Sequence, residues 1–192
     1  QGMGDYVFRD SLPESAVIPG TIKQAAELLG LKKVAVLYGN DDAFTKSGYE
    51  IFKQSLADNN IEITDEETFA KGDVDFNAQL TKSIDTQPDA IVVSALAAEA
   101  TQVIIQARAL GYTGHIIGGN GFNSPAVLKN SGKDAEGLIV GGAWNYGNPD
   151  PSESSVAFVK NYEAKYSSSP DQFAAQAYTG AWLLATAVRC AD

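Results

Sequence analysis

The stretch that most limits what this chain can become is Lys33-Val34-Ala35-Val36-Leu37-Tyr38-Gly39-Asn40-Asp41-Asp42-Ala43-Phe44, continuing to Gly48. The unbroken apolar run Val34–Tyr38 reads as a strand buried on both faces, the pattern of a parallel sheet. Gly39-Asn40-Asp41-Asp42 stops it with turn formers, and the acidic pair can cap a following helix. Gly48, Phe52 and Leu56 then recur at helical spacing. Strand, acidic loop and helix follow one another, with the loop at the carboxyl end of the strand. In open parallel sheets, ligands bind at that edge.

The rest of the chain repeats the unit. Tyr6–Arg9 reads as a short strand, and Ile18, Ile22, Ala25, Ala26 and Leu29 mark a helix that stops at Gly30. Ile61–Thr64 is a strand that either continues through Glu66–Phe69 or loops away. The pattern predicts a helix over Val74–Thr86, with Asp75 in its first turn and Phe76, Leu80 and Ile84 on one face, ended by Pro88. Ala90–Ala95 is another buried strand. Ala97–Leu110 follows as a helix with Ala100, Val103, Ile104, Ala107 and Leu110 inward and Gly111 as its stop. His115–Gly118 and Gly137–Gly141 read as two more strands, and Ser124-Pro125 opens a short helix to about Asn130. Ser152 to about Tyr166 is a helix with Val156, Val159 and Tyr162 inward, and Tyr166–Pro170 is the clearest linker. Gln172–Cys190 is a long helix with little polar face, so it is expected to pack against something the chain does not itself supply. Alternating strands and helices give an α/β fold, a three-layer sandwich around a mainly parallel, flavodoxin- or Rossmann-like sheet.

Composition removes several classes of function. The 192 residues carry a formal net charge of −10 with no Lys/Arg cluster, which disfavours nucleic acid and anionic membrane surfaces. The one cysteine, Cys190, permits neither an intrachain disulfide nor a cysteine metal site. No apolar run reaches the length of a membrane span. The chain opens at Gln1 without a signal peptide and reads as a mature or trimmed fragment. Its single histidine, His115, has no Ser or Cys nucleophile motif near it, so a catalytic triad has little to work with. Neither a G-x-G-x-x-G nor a P-loop is present, and no cofactor is indicated. Gly118-Gly119-Asn120-Gly121 offers backbone N–H groups to an anion only weakly, and a tight turn explains it as well. Asp41 and Asp42 read better as a helix cap and its solvated neighbour than as an acid/base pair, and no partner completes a metal site. The expectation is a protein that is not an enzyme.

What remains suits binding. Phe44, Leu96, Asn120, Phe122, Trp144 and Tyr146 all fall just past the carboxyl ends of strands. Apolar and aromatic walls with one or two polar groups make a small-molecule pocket, although core packing explains any single aromatic about as well.

Four stretches together resemble the type I periplasmic solute-binding proteins of ABC importers, the leucine/isoleucine/valine-binding subfamily in particular. They are Tyr6–Arg9, Val34–Gly48, Gln106-Ala107-Arg108-Ala109-Leu110-Gly111, and Gly118-Gly119-Asn120-Gly121-Phe122. The Asp134-Ala135-Glu136-Gly137 turn fits too. In that family two α/β lobes joined by crossing strands close over a small solute. The resemblance implies that the chain is mainly the second lobe: residues 11–148 its α/β body, 1–10 a crossing strand from a missing first lobe, and 149–192 helices of the second lobe returning toward the first. It implies capture of an amino acid, amide or organic or aromatic acid for a membrane ABC permease, in the periplasm or outside the cell. A ligand-sensing domain of a receptor or regulator has the same fold and stays open beside it. Phe44 falls where the family often has a tyrosine that packs on the ligand, and Leu96 near another aromatic position. Asn120 falls where amino-acid binders usually carry an acid that pairs with the ligand's ammonium. An Asn offers hydrogen bonds but no charge, which points to an amide or a carboxylate without an amino group, unless Glu99 or Asp42 supplies the charge. Trp144 and Tyr146 fall where the chain would cross between lobes.

Overall fold

Two strand faces, both apolar, dictate the layering. In a computed structural model that describes residues 4–191, five strands form one sheet: β1 (Lys33–Gly39), β2 (Glu62–Phe69), β3 (Ala90–Ser94), β4 (His115–Gly118) and β5 (Leu138–Val140). Their order is β2-β1-β3-β4-β5, and every neighbouring pair is parallel. Successive residues of β1 and β3 point to opposite faces, and both faces are buried. Val34, Val36, Ala90 and Val92 pack with Ile18, Ile22, Phe52 and Leu56 of α1 (Glu14–Leu29) and α2 (Ala43–Asp58). Ala35, Leu37, Ile91 and Val93 pack with Leu80 of α3 (Asn77–Asp85), with Val103 and Ile104 of α4 (Ala97–Ala109), and with Val127 of α5 (Pro125–Ser131). Helices therefore cover the sheet on both sides, giving the expected three-layer α/β sandwich.

Local chemistry sets where the elements begin and end. β2 runs on through Glu66–Phe69, taking one bulge opposite Val34/Ala35. The helix expected from Val74 starts later, at Asn77, and Asp75 stands outside it. The Asp75 carboxylate accepts from the Asn77 backbone N–H and side-chain amide, while Ala70 and Asp73 close a turn in front of it. Leu110, expected inward, is 40% exposed because α4 ends at Ala109 before that turn comes round to the sheet.

By internal packing the chain falls into two compact units. One is Pro13–Gly142, which holds the sheet, and the other comprises the segment up to Leu12 together with everything from Ala143. The second unit is built on α6 (Glu153–Tyr166) and α7 (Gln172–Ala191). Its anchor is Phe158, buried against Trp144, Tyr162 and Tyr178, and Gln172 accepts from the Ala143 N–H. Val156, expected inward on α6, is exposed, and Phe158 takes the buried position instead. Much of the α7 surface is apolar and open, with Trp182, Leu183, Leu184 and Val188 all about half exposed or more. The strand expected at Tyr6–Arg9 does not form among the described residues, and residues 1–3 of the expected crossing segment 1–10 lie outside them. Tyr6 and Phe8 are exposed, and no neighbouring strand takes up their backbone groups, without which a strand has no ladder. None of the described helices is long and apolar enough to cross a membrane.

Candidate functional site

The order β2-β1-β3-β4-β5 has one place where the chain reverses its direction of winding, between β1 and β3. After β1 the chain leaves into α2, on the face of Phe52 and Leu56, whereas after β3 it leaves into α4, on the face of Val103 and Ile104. Two helices departing to opposite sides leave a crevice at the carboxyl ends of the strands, which is where open α/β sheets take ligands.

A narrow cleft lies at that switch point. The β1 side contributes Gly39, Asp41, Asp42 and Thr45, the β2 exit Phe69 and Lys71, and the β3 exit Leu96 and Glu99. Its volume is about 10 Å³, room for roughly one water molecule. Its walls are held by short, directional bonds. Asp42 is the N-cap of α2, its Oδ1 accepting from the backbone N–H groups of Phe44 at 2.9 Å and Thr45 at 3.1 Å. Thr45 Oγ1 donates to the Gly39 carbonyl at 2.8 Å, and Ser94 Oγ donates to the Thr45 carbonyl at 2.8 Å. The start of α2 is thus tied to the ends of both β1 and β3. Asp41 Oδ1 accepts from the Lys71 N–H at 2.9 Å, drawing the β2 exit against the β1 exit. Glu99, in the first turn of α4 and 4% exposed, accepts from the Gly72 N–H at 2.8 Å through Oε1.

Beside the cleft, the β4 exit turns tightly through Asn120–Phe122. Gly121 is required there, because a Cβ at that position would collide with the Ala95 carbonyl oxygen. Asn120 is buried, and its backbone N–H donates to the Glu14 carboxylate, 3.0 Å from Oε1 and 3.3 Å from Oε2. Burial raises the Glu14 pKa above the ordinary value of 4.5, and the Asn120 hydrogen bond works the other way. Sequence reasoning passed over Glu14, whose only local mark is an acid directly after Pro13 at a helix start.

The residues expected to bind a ligand are not all placed alike. Leu96 lines the cleft. Phe44, 38% exposed, opens α2 at the same edge. Asn120 belongs to the neighbouring β4 exit. Phe122 is only 1% exposed and packs in the core with Ala95 and Val127, so it supports the turn from beneath and does not wall the cleft. Trp144 lies in the second unit, where its Nε1 donates to Ser155 Oγ at 3.0 Å and its ring meets Phe158 edge-on. Tyr146 is exposed and lines an open groove of about 300 Å³ along α6, with Pro151, Val156, Val159 and Lys160. That groove is larger than the cleft, but it follows one helix flank and draws on a single strand exit, the connection from β5 to α6.

The cleft can hold donors and apolar groups. His115 starts β4 and so sits at the opposite edge of the sheet, its Nδ1 3.1 Å from the Gly137 carbonyl. Among the described residues no group of three or more His, Cys, Asp or Glu is placed to hold a metal ion.

Comparison with known proteins agrees with this geometry. The model of a family described as periplasmic binding protein matches residues 2–192. A leucine-binding protein from Thermotoga maritima superposes with a TM-score of 0.92 at 25% identity, covering 99% of this chain and 54% of its own. A branched-chain amino acid transporter substrate-binding protein from Streptococcus pneumoniae, solved with isoleucine, gives 0.87 at 33% identity, covering 95% of this chain and 51% of its own. An ABC transporter solute-binding protein from R. palustris, solved with benzoate, shares the fold with a TM-score of 0.82 at 24% identity, over 93% of this chain and 48% of its own. The chain therefore spans about half the length of these structures. No curated protein sequence matches it significantly. Parallel sheet, switch-point cleft and a family match along almost the whole chain lead to one conclusion: the chain belongs to the periplasmic binding protein family.

Proposed function

We propose that this chain is one lobe of a solute-binding protein that captures a small organic molecule and presents it to a membrane ABC permease, in the periplasm or outside the cell. The observation that carries the proposal is the meeting of the β1, β2 and β3 exits at the switch-point cleft, in a chain that matches the family along its length. The relatives solved with isoleucine and with benzoate indicate the size of solute. In this reading residues 11–148 form the second lobe, 1–10 enter from a first lobe and 149–192 return toward it. A cleft of about 10 Å³ is far below the ~300–1,000 Å³ of an enclosed small-molecule site. The solute is then enclosed only when a first lobe closes over this edge, and closure is favoured because the solute touches both lobes. Phe44, Leu96 and Asn120 are the residues of this lobe that meet it. The work is binding and release, with no bond made or broken.

Native mass spectrometry of the full-length protein as purified tests this reading. A retained small organic solute that leaves on denaturation is expected. A retained nucleotide or flavin would overturn it.

A further inference from the structure

The β4-exit turn that carries Asn120 is fixed through its two later residues: Gly121 lies against the Ala95 carbonyl, and Phe122 is buried in the core. Its first residue is held by a side chain from near the start of the chain. The Asn120 N–H donates to Glu14, 3.0 Å from Oε1 and 3.3 Å from Oε2, and Glu14 is itself buried. The contact is closely fitted. A Cβ at Gly119 would stand 2.7 Å from Glu14 Oε1, and a Cβ at Gly141, just beyond β5, would stand 2.8 Å from Val17 Cγ1 and 2.6 Å from Thr21 Oγ1. Glycine at both strand exits thus lets the first turns of α1 lie against the ends of β4 and β5.

The helix does little to hold its own first turn. Pro13 at the N-cap makes no side-chain bond to it, and Pro19, inside the helix, has no N–H to give the Ser15 carbonyl. Burying a carboxylate is costly, so an apolar residue at position 14 would serve packing better. What Glu14 supplies and an apolar residue cannot is an acceptor for the Asn120 N–H.

We propose that Glu14 is a positioning residue for solute capture: through the Asn120 N–H it fixes the β4-exit turn in the arrangement that meets the solute. Glu14 acts through the turn's backbone and not by touching the solute. This rests on the solute-capture reading and deepens it.

The test compares the full-length wild type with three variants. Glu14→Leu fills the same place without an acceptor, Glu14→Gln keeps an acceptor, and Gly119→Ala adds a methyl that displaces the Glu14 carboxylate. Amide exchange is read on the solute-free proteins. Affinity is read by calorimetric titration with whichever standard amino acid, or benzoate, gives the wild type its largest thermal shift. In Glu14→Leu and Gly119→Ala, residues 119–123 should exchange about 10-fold faster or more, with β1 and β3 unchanged, and affinity should fall by a similar factor. Glu14→Gln should stay within about 3-fold of wild type in both readouts. Wild-type exchange at 119–123 in the first two variants overturns the positioning role, whatever the solute. Faster exchange with unchanged affinity overturns its bearing on capture. A loss in Glu14→Gln as large as in Glu14→Leu overturns it as well, because the acceptor is then not what matters. If Glu14→Leu fails to fold, Gly119→Ala decides the first two outcomes alone. These results leave solute capture standing, whereas a wild type that binds none of the probes overturns solute capture and this role with it.

Discussion

Asp42 serves the helix and the cleft with one side chain. Its Oδ1 takes two of the backbone N–H groups that α2 leaves without partners, and its position lines the switch point. Asp42→Ala should cost about 1 kcal/mol of unfolding free energy, whereas Asp42→Asn, an equally good cap, should stay close to wild type in urea titrations. Gly121→Ala should cost roughly 1–3 kcal/mol in the same measurement, because the added methyl meets a backbone carbonyl that cannot swing aside. Glu14 makes a pH-dependent contribution whose sign is fixed by burial. Its folded-state pKa lies above the ordinary 4.5, so the folded chain keeps the proton longer than the unfolded chain does. Its stabilisation is complete below 4.5 and is lost as pH rises through the folded value. Glu14→Gln cannot ionise, and its urea midpoints between about pH 4 and 8 should lack that decline.

Among the elements, the strands were legible because both of their faces are covered. A strand between two helical layers must be apolar throughout, and β1 and β3 are written that way in the sequence. The Asp42 cap was legible because it is a local device, decided by residues two and three positions on. Contacts made across long separations were not legible. Glu14 matters because its carboxylate meets an N–H 106 residues later, and no local pattern signals that. Phe122 reads as a pocket wall in a loop, yet the glycine turn folds it back into the core. Trp144 is held to α6 by Ser155. Tyr6–Arg9 has the apolar character of a strand but no ladder to join. The apolar surface of α7 follows the same logic in reverse, since its pattern expects a cover. Leu184, 70% exposed, makes this testable. Leu184→Ser should change the stability of this chain alone by less than about 0.5 kcal/mol. In the full-length protein, with that surface covered, it should cost about 2 kcal/mol or more.

On the scale of the whole molecule, the chain matches about half of its solved relatives, and the proposed function gives it one wall of a binding site, at the carboxyl edge of the sheet. Amide hydrogen exchange on the full-length protein, with and without the solute it binds, reads this directly. Added protection within this chain should concentrate at residues 39–45, 95–99 and 119–123, the strand exits around the cleft. Protection that bypasses those three segments and gathers along residues 146–163, beside the α6 groove, would contradict a solute site at the carboxyl edge of the sheet.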